Sequence, residues 1–267
     1  MLISSKITNG INGNIIIPGD KSISHRSVII PSIAKGISRI SNILFSEDVI
    51  NTINAFRLMG VDINQKKNEL IIKGNGLNSL QKSKENIYLG NSGTSARLLT
   101  GLLSSQNFNS TLTGDQSLSK RPMQRITQPL EIMGAKFESE NNKLPLKIFG
   151  QKLTNIDYEL ELPSAQVKSG LMLAALNTKG RTTIKEKKIS RNHTEIMLDY
   201  FEANIEIKNQ NNEKIISIEG NKELVSKDIL VPSDLSSAAF FIIAALINDK
   251  SNIYIKDVNL NPTRDGI

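Results

Sequence analysis

Lys21, Ser22 and Arg26 stand in the nonapeptide Pro18-Gly19-Asp20-Lys21-Ser22-Ile23-Ser24-His25-Arg26, which follows the apolar run Ile15-Ile16-Ile17 and opens an apolar stretch ending at Ala34. A strand, a Pro-Gly break and then Lys, Ser and Arg at the head of a helix is a pattern suited to oxyanions. The first turn of a helix offers free N–H groups and the positive end of the helix dipole, and Lys21 and Arg26 add full charges. The stretch reads either as a phosphate or carboxylate cradle or as a capped surface helix with solvated cations. It is not a Walker loop, because a single glycine precedes Lys21 and the Gly-x-x-x-x-Gly-Lys-Ser/Thr spacing is missing.

Further cations and amides stand at other element boundaries. Arg121 precedes Pro122, whose ring holds the arginine in an extended backbone and can aim its guanidinium at a planar carboxylate or a phosphate. Ser190-Arg191-Asn192-His193-Thr194-Glu195 and Asn261-Pro262-Thr263-Arg264 follow. The 267 residues include no cysteine and only two histidines, His25 and His193. Thiolate catalysis, disulfides and Cys-based metal sites are therefore excluded, and a His-rich metal site is disfavoured. A net charge of +7 points to anionic partners. Nucleic acid is the weaker choice, since the lysines are dispersed among acidic residues, aromatics make up 4% and there is no Trp for base stacking. Neither a signal peptide nor an apolar run long enough to span a bilayer is present, so a cytoplasmic protein is expected.

The elements that must position these groups repeat. The polar-then-apolar pattern at Lys21 recurs at Asn91, at Ser164 and at Ser233, with separations of 70, 73 and 69 residues. A second pattern also recurs, in Phe56 to Ile63, Leu130 to Phe137 and Leu198 to Ile205, each read as a helix that stops at Gly or Ala and turns into a strand. One unit is thus strand, helix, strand, helix and a strand pair, the first pair turning at Lys66-Lys67-Asn68-Glu69. Pro31 predicts a kinked or short first helix, and the Asn-rich stretch 209–212 predicts a hairpin tip. Mixed α/β architecture built by repetition is the expected fold, with equivalent helix N-termini brought to one end of a domain.

Taken together, Lys21-Ser22-Ile23-Ser24-His25-Arg26 with its Pro-Gly-Asp prefix, Gly90-Asn91-Ser92-Gly93-Thr94, Arg121-Pro122-Met123, Ser164-Ala165-Gln166-Val167-Lys168, Arg191-Asn192-His193-Thr194-Glu195 and Asn261-Pro262-Thr263-Arg264 resemble the motif series of the 5-enolpyruvylshikimate-3-phosphate synthases, in their class II form. The resemblance implies βαβαββ units arranged as an inside-out α/β barrel, three to a domain, with substrates between two domains. Six units of about 70 residues would need about 420, so the chain is expected to be C-terminally truncated. On the family's chain path, residues 20–229 form a complete three-unit domain, and residues 1–19 and 230–267 form part of a second.

The implied reaction moves the enolpyruvyl group of phosphoenolpyruvate to the 5-hydroxyl of shikimate 3-phosphate and releases phosphate, a step of aromatic amino acid biosynthesis that needs no metal or organic cofactor. By motif position, Lys21 touches both substrates, while Ser22, Arg26, Ser164 and Gln166 hold shikimate 3-phosphate, with Gln166 also near phosphoenolpyruvate. Gly93 and Arg121 line the phosphoenolpyruvate pocket, and Asn91 and Arg191 contribute beside them. Gly93 is also the glycine that the family associates with sensitivity to glyphosate. The family's proton acceptor, an Asp, falls beyond Ile267, so no catalytic base is assigned and the chain alone is expected to be inactive. His25 and His193 either tie helix starts or take part in chemistry; Arg97, Lys168 and Arg264 either bind ligand or staple loops; Thr94 and Ser95 read as caps. The full-length protein is expected to be a monomer. Two alternatives remain at this stage: the UDP-N-acetylglucosamine enolpyruvyl transferase, which generally uses a Cys loop, and a non-catalytic anion-binding fragment.

Overall fold

A computed structural model of the chain describes residues 10–210 and 213–263. In chain order it runs through β1 (Asn12–Ile15), then α1 (Lys21–Ser32), β2 (Ala34–Ser41), α2 (Glu47–Leu58), β3 (Asp62–Lys66) and β4 (Glu69–Asn75). A second set follows: β5 (Ile87–Tyr88), α3 (Gly93–Ser104), β6 (Ser110–Thr113), the single turn α4 (Gln116–Ser119), α5 (Gln124–Ile132), β7 (Lys136–Ser139) and β8 (Leu146–Phe149). The third set is β9 (Asp157–Glu159), α6 (Ala165–Ala175), β10 (Arg181–Glu186), α7 (His193–Tyr200), β11 (Ile205–Gln210) and β12 (Glu213–Glu219). The chain continues through β13 (Leu224–Val225), β14 (Ile229–Leu230), α8 (Leu235–Leu246) and β15 (Asn252–Ile255).

Each set builds one sheet on the same plan. β5 lies parallel to β6, β6 antiparallel to β8, and β8 antiparallel to β7; β9, β10, β12 and β11 repeat that arrangement. The parallel pair forces a crossover, which α3 and α6 supply. In the first sheet the strand parallel to β2 comes from the far end of the chain path, as β13 and β14, and β2–β4–β3 complete it. The apolar run before Lys21 therefore does not serve the first unit. Its strand, β1, ends at Ile15 and pairs with β15 in a separate two-stranded sheet.

The crossover helices α1, α3 and α6 are buried around most of their circumference, α3 and α6 with largely apolar residues and α1 with Ser24, His25, Arg26 and Ser27 among its buried ones. Ten of the twelve residues of α3 are buried, nine of twelve in α1 and nine of eleven in α6. Two glycines set the closest approach among them: a Cβ built on Gly101 of α3 would lie 1.9 Å from the carbonyl oxygen of Gly170 in α6. Only hydrogen at Gly101 permits that contact, which brings the N-terminal turns of α3 and α6 side by side.

The second helices end alike. Val61, Ala135 and Ala203 each donate an N–H to the carbonyl five residues earlier, and Gly60, Gly134 and Glu202 each donate to the carbonyl three residues earlier, the Schellman pattern. Gly60 and Gly134 take the left-handed conformation this requires; in the third copy the residue that does so is Glu202, with φ of 63°, and not the Ala expected from the sequence. Nor does Pro31 shorten the first helix. It lies in the last turn of α1, which runs its full twelve residues, the same length as α3. The missing N–H removes one bond near the helix end, where the cost is smallest. β3 and β4 turn at Lys67-Asn68, as expected. β11 and β12 form a hairpin through the Gln210–Glu213 pair, so of the tip predicted at 209–212 the residues Asn209 and Gln210 belong to β11, and 211–212 fall outside the described residues.

Two chain crossings join the three-sheet region to the β1–β15 pair. Residues 17–20 and 231–234 run antiparallel: the Asp20 N–H donates to the Pro232 carbonyl at 2.8 Å and the Asp234 N–H to the Pro18 carbonyl at 2.9 Å. Ser233 Oγ also donates to the Ile17 carbonyl at 3.1 Å.

Candidate anion site at the inner-helix N-termini

The inner helices are capped by the same device. The Asp20 carboxylate accepts the N–H of Ile23 at 3.0 Å, Ser92 Oγ that of Ser95 at 3.1 Å, and Ser164 Oγ that of Val167 at 3.3 Å. Each cap bond is taken by the third residue of the helix. The N–H groups ahead of it stay directed out of the helix end, where the dipole favours negative charge. The cap of α3 is thus Ser92, while Thr94 and Ser95, read from sequence as caps, carry other bonds.

Arg97, Gln166 and Thr94 bind α3 to α6. Arg97 Nη1 donates to the Gln166 side-chain oxygen at 2.9 Å and to the Gly93 carbonyl at 3.2 Å, and Gln166 Nε2 donates to Thr94 Oγ1 at 3.0 Å. Arg121 donates through Nη2 to the side-chain oxygen of Asn91. A Cβ on Gly93 would sit 2.8 Å from Arg97 Nη1 and 3.0 Å from Arg121 Nη1, so the two guanidiniums close over the bare glycine. Arg97 and Arg121 bond neutral oxygens, and no salt bridge compensates either among the described residues. Burial, and then the nearby charges of Arg121 and Arg125, push the Arg97 guanidinium below its ordinary pKa. Positive charge left unbalanced in this way is relieved by an incoming anion.

The other expected residues divide by environment. Lys21 is exposed at the start of α1 and pairs with Asp48 at the start of α2, a partner the sequence did not reveal. Ser22 is half-buried beside it, Ser164 is half-buried at the head of α6, and Arg191 is exposed just ahead of α7. Arg26 lies behind this fringe. It is buried, donating from Nε to Thr194 Oγ1 at 2.6 Å, from Nη1 to the Ser22 carbonyl at 2.9 Å and from Nη2 to Ser169 Oγ at 2.8 Å. Burial lowers its pKa to about 10, so it remains a cation.

Lys168 is a staple. Its Nζ lies fully buried, 2.6 Å from Glu186 and 2.7 Å from Glu195, and Lys214 approaches Glu195 at 3.1 Å. Ser190 Oγ donates to Glu186 at 2.5 Å, which ties the loop before Arg191 to this cluster. His25 is buried as well. Its Nδ1 lies 2.8 Å from Thr52 Oγ1 and 3.2 Å from Ser95 Oγ, and desolvation by burial followed by Arg26 lowers its pKa to about 3. His193 is buried at the head of α7. From the C-terminal motif, Asn261 donates to Asn192 at 2.7 Å; Arg264 lies outside the described residues.

Three capped helix ends with a cationic fringe are thus carried on an α/β fold of repeated units. The chain belongs to the EPSP synthase family: the family model described as EPSP synthase (3-phosphoshikimate 1-carboxyvinyltransferase) matches residues 5–267. It is 49% identical over 268 residues to the 3-phosphoshikimate 1-carboxyvinyltransferase of Thermoanaerobacter sp. (strain X514), covering 100% of this chain and 62% of that one. Against the protein of the same name from Ruthia magnifica it is 50% identical over 263 residues, covering 98% of this chain and 60% of the relative. A solved EPSP synthase from Acinetobacter baumannii superposes with a TM-score of 0.89 at 45% identity, over 96% of this chain and 58% of the other. The chain thus spans about three fifths of the length of these relatives. No helix among the described residues is long and apolar enough to cross a membrane.

Proposed function

We propose that this chain carries one face of a site that transfers the enolpyruvyl group of phosphoenolpyruvate to the 5-hydroxyl of shikimate 3-phosphate, releasing phosphate. The observation that carries the reading is the pair of guanidiniums, Arg97 and Arg121, closed over Gly93 beside Asn91 and Gln166, with no carboxylate paired to either among the described residues. Both substrates are polyanions, and the first requirement of the reaction is to gather them against their mutual repulsion.

In this reading Lys21 reaches both substrates. Ser22, Ser164 and Gln166 hold shikimate 3-phosphate, Gly93 and Arg121 receive phosphoenolpyruvate, and Asn91 and Arg191 border the site. Arg26, buried as it is, contributes its charge and fixes the Ser22 carbonyl. Residues 20–229 make up one domain; the segments on either side of it belong to a second, which completes the cleft. The protein acts in the cytoplasm as a monomer, without metal or organic cofactor.

The test is titration calorimetry with shikimate 3-phosphate, with phosphoenolpyruvate and with UDP-N-acetylglucosamine. Binding of the first two and not the third is expected. In Arg121→Ala, loss of one charge-assisted bond, worth about 1.5 to 3 kcal/mol, weakens phosphoenolpyruvate about tenfold or more and leaves shikimate 3-phosphate nearly unchanged. Equal losses for both ligands would contradict the assignment.

A further inference from the structure

Gln166 holds both ends of its side-chain amide in bonds. A guanidinium has only donors, so the group facing Arg97 Nη1 at 2.9 Å must be the amide oxygen, and Nε2 must face Thr94 Oγ1 at 3.0 Å. One N–H of Nε2 is spoken for by Thr94, and the other remains for a ligand. The same Arg97 nitrogen holds the Gly93 carbonyl at 3.2 Å, and Nη2 lies 3.5 Å from the Pro122 carbonyl, next to Arg121. Arg97 is thus the common partner of three segments, each of which supplies a proposed ligand-binding residue.

We infer that Arg97 is a positioning residue: it fixes which end of the Gln166 amide is offered to the bound anion, and it is the group through which a methyl added at Gly93 acts. The backbone at Gly93 is not in the left-handed region, so alanine is not strained there by its own conformation. Space is the obstacle. The added Cβ would stand 2.8 Å from Arg97 Nη1 and 3.0 Å from Arg121 Nη1, both too close for carbon against nitrogen. Arg97 is the closer and the more constrained, since moving Nη1 stretches its bonds to Gly93 and Gln166 together. Once Nη1 withdraws, only Thr94 Oγ1 holds the amide, and because a hydroxyl can donate as well as accept it does not fix which end of Gln166 it faces. Gly93→Ala therefore alters the site before any ligand arrives. The inference rests on the proposed reading for the identity of the anion, and not for the geometry.

The experiment follows the Gln166 side-chain NH2 resonances by nitrogen-15 NMR in the unliganded chain, assigned by their loss in Gln166→Glu. Arg97→Met and Gly93→Ala are each expected to displace the pair, and Gly93→Ala added to Arg97→Met is expected to move it little further. A pair that stays in place in Gly93→Ala, or shifts that add in the double variant, would overturn the inference. Should Arg97→Met not fold, Gly93→Ala decides alone, with Thr94→Val, which releases the other end of the amide, as the reference displacement. Titrating the parent chain with phosphoenolpyruvate separates the two claims. Failure to bind with the amide shifts as expected would reject the proposed ligand and leave the positioning role standing.

Discussion

The helices α3 and α8 are both twelve-residue products of the same polar-then-apolar pattern, yet ten residues of α3 are buried and only Ala238 of α8 is. Phe240 is 80% exposed and Leu246 75%. Local sequence decides that both segments are helices with capped starts; Ser92 and Asp234 each accept the N–H three residues on. Burial needs sister units. α3 lies among α1, α5 and α6 within three equivalent sheets, whereas α8 packs against β15 of the small parallel pair. The difference shows that a strand pair and its helix do not cover the apolar face of that helix, as expected where repeats bury one another.

The largest expected effect lies inside the three-sheet region. Lys168→Met removes the ammonium shared by the buried Glu186 and Glu195 and leaves Glu186 without a salt bridge among the described residues, and breaking a buried ion cluster costs about 3 to 5 kcal/mol. Urea unfolding followed by circular dichroism reads this directly, and a loss below about 1 kcal/mol would mean that water reaches the cluster.

A smaller effect is expected from His25, which joins α1 to α2 and α3 through Thr52 and Ser95. Its pKa falls from 6.5 to about 3 on folding, so between those values the unfolded chain binds a proton that the folded chain does not. Stability therefore falls as pH drops through this window, by about 1 kcal/mol between about pH 7 and pH 5.5. Unfolding curves at the two pH values should show that loss in the parent chain and a clearly smaller one in His25→Gln.

The smallest effect should come from α8. Phe240→Ser removes a large apolar side chain, but one already in water, so stability should change by no more than about 0.5 kcal/mol. A loss comparable with that of Lys168→Met would show that α8 is covered in solution, and the contrast with α3 would fail.

The same contrast explains what was legible in the sequence. The units were, because turn residues and apolar runs recur at nearly fixed spacing, and so were the capped starts at Lys21 and Ser164. The closure of the first sheet was not, since β13 and β14 are two residues each and carry no periodic pattern. Nor was the burial of Arg26, whose partners Ser169 and Thr194 lie more than 140 residues away in the chain. Lys168 stood out in sequence as a residue that binds ligand or staples loops, but its pairing with Glu186, Glu195 and Lys214 did not, since only the fold brings them together. Gly101 and Gly170 were the missed signal: glycines inside two apolar helices stand out against helix propensity, and such positions commonly mark close backbone contact.

Mapping backbone amide shifts while the 267-residue chain is titrated with shikimate 3-phosphate tests the central claim, that the inner-helix N-termini of the three-sheet region form an anion site. Saturable shifts are expected at Ser22, Ser164 and Gln166, weakened by added salt, with Phe240 to Leu246 of α8 unmoved. Shifts confined to other surfaces, or equal shifts along α8, would contradict it.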